Sequence, residues 1–146
     1  MMRSSPKITR VQLKINQNNE SVLVGIVSAE PDYKLSLAIN KRLNISLKNS
    51  GPVIVSDEKG TGIAFSRFFH DASEKGSYEL ISNRVEKHFL LRKLKNIDYI
   101  FQIHHTVDDR EADNIMSLLR DADSVTAVFK IDLKSLKDKN LHYLIQ

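Results

Sequence analysis

The run from Ile97 to His104 limits the fold most. Ile97, Tyr99, Phe101 and Ile103 fall on one side of an extended chain, opposite Asp98, Ile100, Gln102 and His104, because successive strand side chains point to opposite faces. One side is wholly apolar and the other still carries Ile100, so the spacing predicts a strand that is central or covered on both sides. With 146 residues the chain is near the commonest size of one domain and can bury roughly two-thirds of its unfolded surface. One core is enough, so the expected unit is a single domain over residues 1–146. Residues 1–6 and a Lys-rich tail over 134–146 are its candidate mobile ends.

The other elements arrange themselves around that strand. Val11, Leu13 and Ile15 alternate with polar residues within Ile8 to Ile15, and Val22 to Val27 is more continuously apolar; Asn16 to Asn19 between them suits a turn, which predicts a hairpin. Pro31-Asp32 opens a helix with Asp32 as its expected N-cap. Leu35, Ala38, Ile39 and Leu43 lie on its buried face, and Asn44 is expected to end it. A second hairpin is expected from Val53–Val55 to a strand over Ile63–Phe69, followed by strands at Tyr78–Ser82 and His88–Leu91. Thr106 and Asp109 resemble a capping box before a helix with Ala112, Ile115, Leu119 and Ala122 buried. Val125 to Asp132 alternates as a last strand. Lys134, Lys137 and Lys139 then punctuate Leu133, Leu136 and Leu141, a pattern open to a short helix, a docked arm or a mobile tail. The total is an α+β fold: an antiparallel sheet of about five to seven strands with two amphipathic helices, its strand order open.

Composition removes several functions. With no cysteine, disulfides, thiolate metal sites and cysteine nucleophiles are excluded by counting. The basic N-terminal residues Arg3, Lys7 and Arg10 have no apolar run behind them, and no run approaches the roughly 18 residues of a membrane span. The expectation is a cytoplasmic protein without membrane contact. A formal net charge of +4 permits nucleic-acid binding without demanding it, and the charges read as spread along the chain.

The motifs with chemical overtones have plainer explanations. His104-His105-Thr106-Val107-Asp108-Asp109 superficially copies an acyltransferase His-His-x-x-x-Asp-Gly, but Arg110 stands in place of the Gly. Adjacent strand histidines also point to opposite faces and cannot easily chelate one ion. Gly60-Thr61-Gly62 has no crossover helix after it and reads as a turn, and neither Ser66 nor Ser82 sits in a nucleophile elbow. No catalytic residue, metal site or cofactor is therefore assigned. Phe65, Phe68, Phe69 and Arg67 combine aromatic and basic groups as single-strand-binding sheets do, although core packing is the stronger explanation of the phenylalanines.

Four stretches together resemble the uncharacterised bacterial family called IPExxxVDY after its signature. They are Val24-Gly25-Ile26 with Asp32-Tyr33-Lys34-Leu35, Ile39-Asn40 and Leu43; Tyr78 to Asn83; Leu91-Arg92-Lys93-Leu94-Lys95-Asn96-Ile97-Asp98-Tyr99; and Ala127 to Leu141. The Asp-Tyr end of the signature is kept, while Arg92 and Lys93 stand where the name-giving Pro and Glu would be. The resemblance implies a recurring domain and brings no substrate, cofactor or partner. A catalytic Glu at that place would be reversed in charge by Lys93, and losing the proline predicts a looser connection into the Ile97 strand.

The resemblance makes Asp32, Tyr33, Asn40, Asn83, Asp98 and Tyr99 the candidate binding residues. Asp32 has a capping role, Tyr33 can lie over the sheet with its hydroxyl at the edge, and Asn40 and Asn83 can tie helix to loop. Asp98 on an apolar strand needs a partner, because an unpaired buried charge costs several kcal/mol. Three functional readings follow. The first is a non-enzymatic, self-associating interaction domain, as a homo-oligomer or with another protein. The second is an RNA- or polyanion-binding module, and the third a small-molecule site or enzyme using Asp98, Tyr99 and the nearby histidines.

Overall fold

A computed structural model describes residues 21–71, 76–105 and 107–144. They run as β1 (Val22–Val27), α1 (Asp32–Leu43), β2 (Lys48–Asn49), β3 (Val53–Ser56), β4 (Gly62–Phe65), β5 (Arg67–Asp71) and β6 (Ser77–Ser82). There follow β7 (Arg84–Val85), β8 (His88–Phe89), β9 (Tyr99–Ile103), α2 (Asp109–Arg120), β10 (Ala127–Lys130) and a 3-10 turn (Leu141–Tyr143). Six strands form one antiparallel sheet in the order β10-β1-β9-β6-β5-β2; β3 with β4 and β7 with β8 form separate two-stranded ribbons. The fold is α+β, and β9 is an interior strand with all five residues buried.

The two-sided pattern of β9 organises both layers. Register places Val24 and Leu80 beside Phe101, and Phe68 beside Leu80. That row packs under Leu35 and Ile39 of α1 and Ile115, Met116 and Leu119 of α2. Burying a side chain the size of Phe101 contributes about 1.5–3 kcal/mol. The alternate row, Leu23, Gln102, Glu79 and Phe69, faces the opposite way. Over that face lies a second core of Phe65, Ile81, Leu90, Leu91, Ile100, Ile131 and Leu144. Its cover is the β3–β4 ribbon, the connection after β8 and the C-terminal segment. Of the three forms open to that segment, two are combined over residues 133–144, a docked arm with the 3-10 turn Leu141–Tyr143 within it: Asp138, Asn140 and Leu144 are buried.

Several expectations need correction. The expected strand Ile8–Ile15 lies outside the described residues, and β1 has β9 on one edge and β10 on the other. The hairpin expected between that strand and β1 falls on those residues as well, and lies outside the described part of the chain. The strand over Ile63–Phe69 is two strands broken at Ser66, where the chain leaves the β3–β4 ribbon and enters the main sheet. The break is held by the Ser66 hydroxyl on that of Ser82 at 2.6 Å and by the Ser82 amide on the Ser66 carbonyl at 2.9 Å. Ile97 does not share the Tyr99 face: a turn from Leu94 to Ile97 precedes β9 and lays Ile97 against Gly25, where an added Cβ would stand 2.4 Å from Ile97 Cδ1. Gly25 is the residue that admits it.

The helix ends also differ in detail. Pro31, not Asp32, is the N-cap of α1; its carbonyl accepts from Lys34 and Leu35, while Asp32 is the first helical residue and accepts from the Tyr33 amide at 2.7 Å. Asn44 ends α1 as expected, in the left-handed conformation at φ 57° that asparagine tolerates. The N-cap of α2 is Asp108, accepting from the Glu111 amide at 2.8 Å. That places the capping sequence two residues after the expected start, and Thr106 lies outside the described residues.

Candidate anion-binding groove

Asp32, Asn40, Asn83, Asp98 and Tyr99 serve the fold, each in a different way. Asp98 Oδ2 accepts from the Ser28 amide at 3.0 Å, and Oδ1 pairs with Arg84 Nη2 at 2.6 Å. The Tyr99 hydroxyl donates to the Glu30 carbonyl at 2.6 Å. Burial, and then the nearby carboxylates of Asp32 and Asp98, push that phenol up to about 12. Asp98, Tyr99, Arg84 and residues 28–31 line a shallow pocket of about 250 Å³. Tyr33 does not lie over the sheet; it is 58% exposed. Asn40 imitates a backbone partner for Leu47, accepting from its amide at 2.7 Å and donating to its carbonyl at 3.3 Å.

Asn83 is fully buried and acts as a hub. Its Oδ1 accepts from the Leu91 amide at 2.8 Å, and its Nδ2 donates to the carbonyls of Leu94 and Ile97, both at 2.9 Å. Its own amide and carbonyl bind Asp98 and Leu90. The connection that was expected to be loose without its proline is thus pinned from inside. The structure does not join Asp98 and Tyr99 to the histidines. His104 follows the opposite end of β9, with Nε2 3.0 Å from Glu79 Oε1, and lines a different pocket with Arg67 and Phe69. Among the described residues no group of three or more His, Asp or Glu side chains could hold a metal ion.

The pinned connection forms one wall of a larger groove of about 500 Å³, within the usual range of ligand sites. Lys87 and His88 come from the β7–β8 ribbon, and Arg92, Lys93 and Lys95 from the connection; Val55, Ile63, Phe65 and Phe89 supply apolar surface, and Asp57 is the one carboxylate lining it among the described residues. None of the six ion pairs among the described residues involves Lys87, Arg92, Lys93 or Lys95. The Asp57 carboxylate is turned to its own loop, accepting from the amides of Lys59 and Thr61. Four such cations around one concavity raise the local concentration of anions far more than the same charges dispersed would.

The C-terminal arm buttresses this wall. Asp138 accepts from the Lys93 amide at 3.0 Å, and Asn140 Nδ2 donates to the Leu90 carbonyl at 2.7 Å. Sequence patterns placed basic groups with aromatics at Arg67 and in the Lys-rich tail, and missed the groove. Its signal was the density of Lys87-His88 and Arg92-Lys93-x-Lys95 within nine residues. No protein-family model matches the chain, and no curated protein matches it. No described helix is long and apolar enough to cross a membrane.

Proposed function

We propose that the chain is a non-enzymatic binding domain for phosphate-rich polymers, RNA first among them, acting in the cytoplasm through the groove between the β3–β4 ribbon and residues 87–95. The observation that carries this reading is the set of four cations, Lys87, Arg92, Lys93 and Lys95, which share one groove and take part in no ion pair among the described residues. Kinship with the IPExxxVDY proteins is part of the proposal: exchange of Pro-Glu for Arg92-Lys93 would then give this chain its groove charge. Of the aromatics first considered for RNA, Phe65 and Phe68 are buried in the two cores, and half-buried Phe69 lines a different pocket with Arg67. Self-association has less support. Among the described residues the large exposed apolar side chains are Tyr33 and Leu37, one turn apart on α1, Ile54 on β3 and Phe129 on β10, and exposed apolar groups so scattered need no partner.

The test is anisotropy of a labelled mixed-sequence RNA in two salt concentrations. Four phosphate contacts on a single strand should weaken binding roughly 50-fold between about 50 mM and about 200 mM salt. The double variant R92E/K93E should bind far more weakly and with a shallower salt slope. No binding of the unaltered protein at the lower salt would overturn the proposal.

A further inference from the structure

Phe89 is the aromatic side chain of the groove that the core does not claim. It lies on β8 opposite Arg84, is half-buried, and belongs to neither apolar core, unlike Phe65 on the facing ribbon, which is 1% exposed. Val55 and Ile63 of that ribbon, both half-buried, complete an apolar floor between the basic side chains. A purely electrostatic surface for a sulfated or phosphorylated polymer has no use for such a floor. A strand of nucleic acid does, because every base has a π-face that stacks on an aromatic ring irrespective of sequence.

Asn140 adds a second feature independent of charge. It is 6% exposed and lines the same groove. The bond from Nδ2 to the Leu90 carbonyl fixes the orientation of its amide, which leaves Oδ1 as an acceptor. Every base carries an N–H donor on its Watson–Crick edge, and that edge is free only in a single strand.

We propose that the groove takes single-stranded nucleic acid, seating one base on Phe89 with its edge toward Asn140 Oδ1 while Lys87, Arg92, Lys93 and Lys95 hold the flanking phosphates. This rests on the polyanion reading and narrows it. Duplexes are disfavoured because their bases are stacked and paired, out of reach of the floor. Sequence preference should be slight, since neither stacking nor a lone acceptor distinguishes the bases strongly.

The experiment exploits the absence of tryptophan from the chain. Phe89→Trp introduces a sole indole whose emission should be quenched on adding a single strand of about 12 nucleotides, RNA or DNA, since base stacking quenches indole. Heparin, a polyanion without bases, should bind the same variant without quenching. Phe89→Leu keeps apolar bulk and should weaken single-strand binding about 5- to 50-fold, leaving heparin affinity within about twofold, as judged on a variant with unchanged thermal unfolding. An RNA duplex should bind at least about fivefold more weakly than the single strand. If single strands bind the Phe89→Trp variant without quenching its emission, or Phe89→Leu weakens heparin and RNA alike, the stacking proposal is overturned while polyanion binding stands. If neither heparin nor any nucleic acid binds, both fail.

Discussion

The two faces of the sheet are built on different terms. Over one face, α1 and α2 satisfy their own backbones and end on Asn44 or begin on Asp108, so the side chains between helix and sheet are free to pack. Over the other, a ribbon, a looped connection and an arm cannot pair all their own amides and carbonyls. Buried side chains do it for them: Asn83 for residues 91–97, Asp138 for Lys93 and Asn140 for Leu90. Irregular cover thus demands interior polar groups, because an unpaired buried backbone group costs as much as a lost hydrogen bond. It also leaves concave surface between its pieces, and the basic groove is that surface. The helical face is committed to stability, whereas the irregular face has groups to spare for a ligand.

The largest effects should come from removing one support from each face. Phe101→Ala, under the helices, is expected to cost about 3–5 kcal/mol. Asn83→Ala, under the connection, should cost a similar ~3–5 kcal/mol, since it strands the Leu91 amide and the Ile97 carbonyl in a buried site and leaves the Leu94 carbonyl only the Ile97 amide. Urea unfolding gives both values. The faces separate in the RNA assay: folded Phe101→Ala protein should keep its affinity, while Asn83→Ala should lose it along with the geometry of Arg92 and Lys93. Equal affinities in the two variants would break the division of labour between the faces.

A smaller effect, opposite in sign, concerns Gln102. It is fully buried beside Glu79, and among the described residues neither its Nε2 nor its Oε1 has a hydrogen-bond partner. Glu79 by contrast faces Arg67 Nε at 3.4 Å and His104 Nε2 at 3.0 Å. Gln102→Leu nearly keeps the volume and removes an unpaired amide, so it should stabilise the protein by about 1–2 kcal/mol. A loss of stability in urea unfolding would mean that the irregular face satisfies this amide after all.

How far the sequence was legible follows the same division. The helical face could be read closely: the two-sided pattern of β9, the apolar stripe of each helix and the Asn44 terminus are local signals of periodicity and capping. The irregular face could not, because its decisive events are not periodic. A single serine, Ser66, shifts the chain from ribbon to sheet, and the turn at Leu94–Ile97 reverses the face that Ile97 occupies. Strand order was equally hidden, since an apolar strand such as β1 does not announce which neighbours take its edges. The candidate residues were half legible. Polar side chains at Asn40, Asn83 and Asp98 were recognisable as needing partners, and they have them. The groove joins residues 55–65, 87–95 and 140, three segments that no spacing rule brings together.

The smallest effect tests the corner where the two kinds of cover meet, at the start of β9. Tyr99 is 8% exposed on the helical side, while its neighbour Asp98 pairs with Arg84 of the β7–β8 ribbon. Burial and the carboxylates of Asp32 and Asp98 raise the phenol to about 12 from its ordinary 10.0. Folding therefore favours the neutral phenol. Its contribution is whole below pH about 10, where the tyrosine is neutral in both states. It is lost as pH rises toward about 12, because the unfolded chain ionises first and gains the free energy of doing so. Allowing for solvent screening at the pocket mouth, that loss should be about 1–2 kcal/mol. Tyr99→Phe should cost about 1 kcal/mol near neutrality through the missing bond to the Glu30 carbonyl, yet lose less between pH about 9 and about 11.5 than the unaltered protein. Tyr78, also raised by burial, is present in both proteins and cancels from the difference. Parallel pH profiles in urea unfolding would show that the Tyr99 hydroxyl is not sealed by the packing around β9, and that the helical cover ends short of this corner.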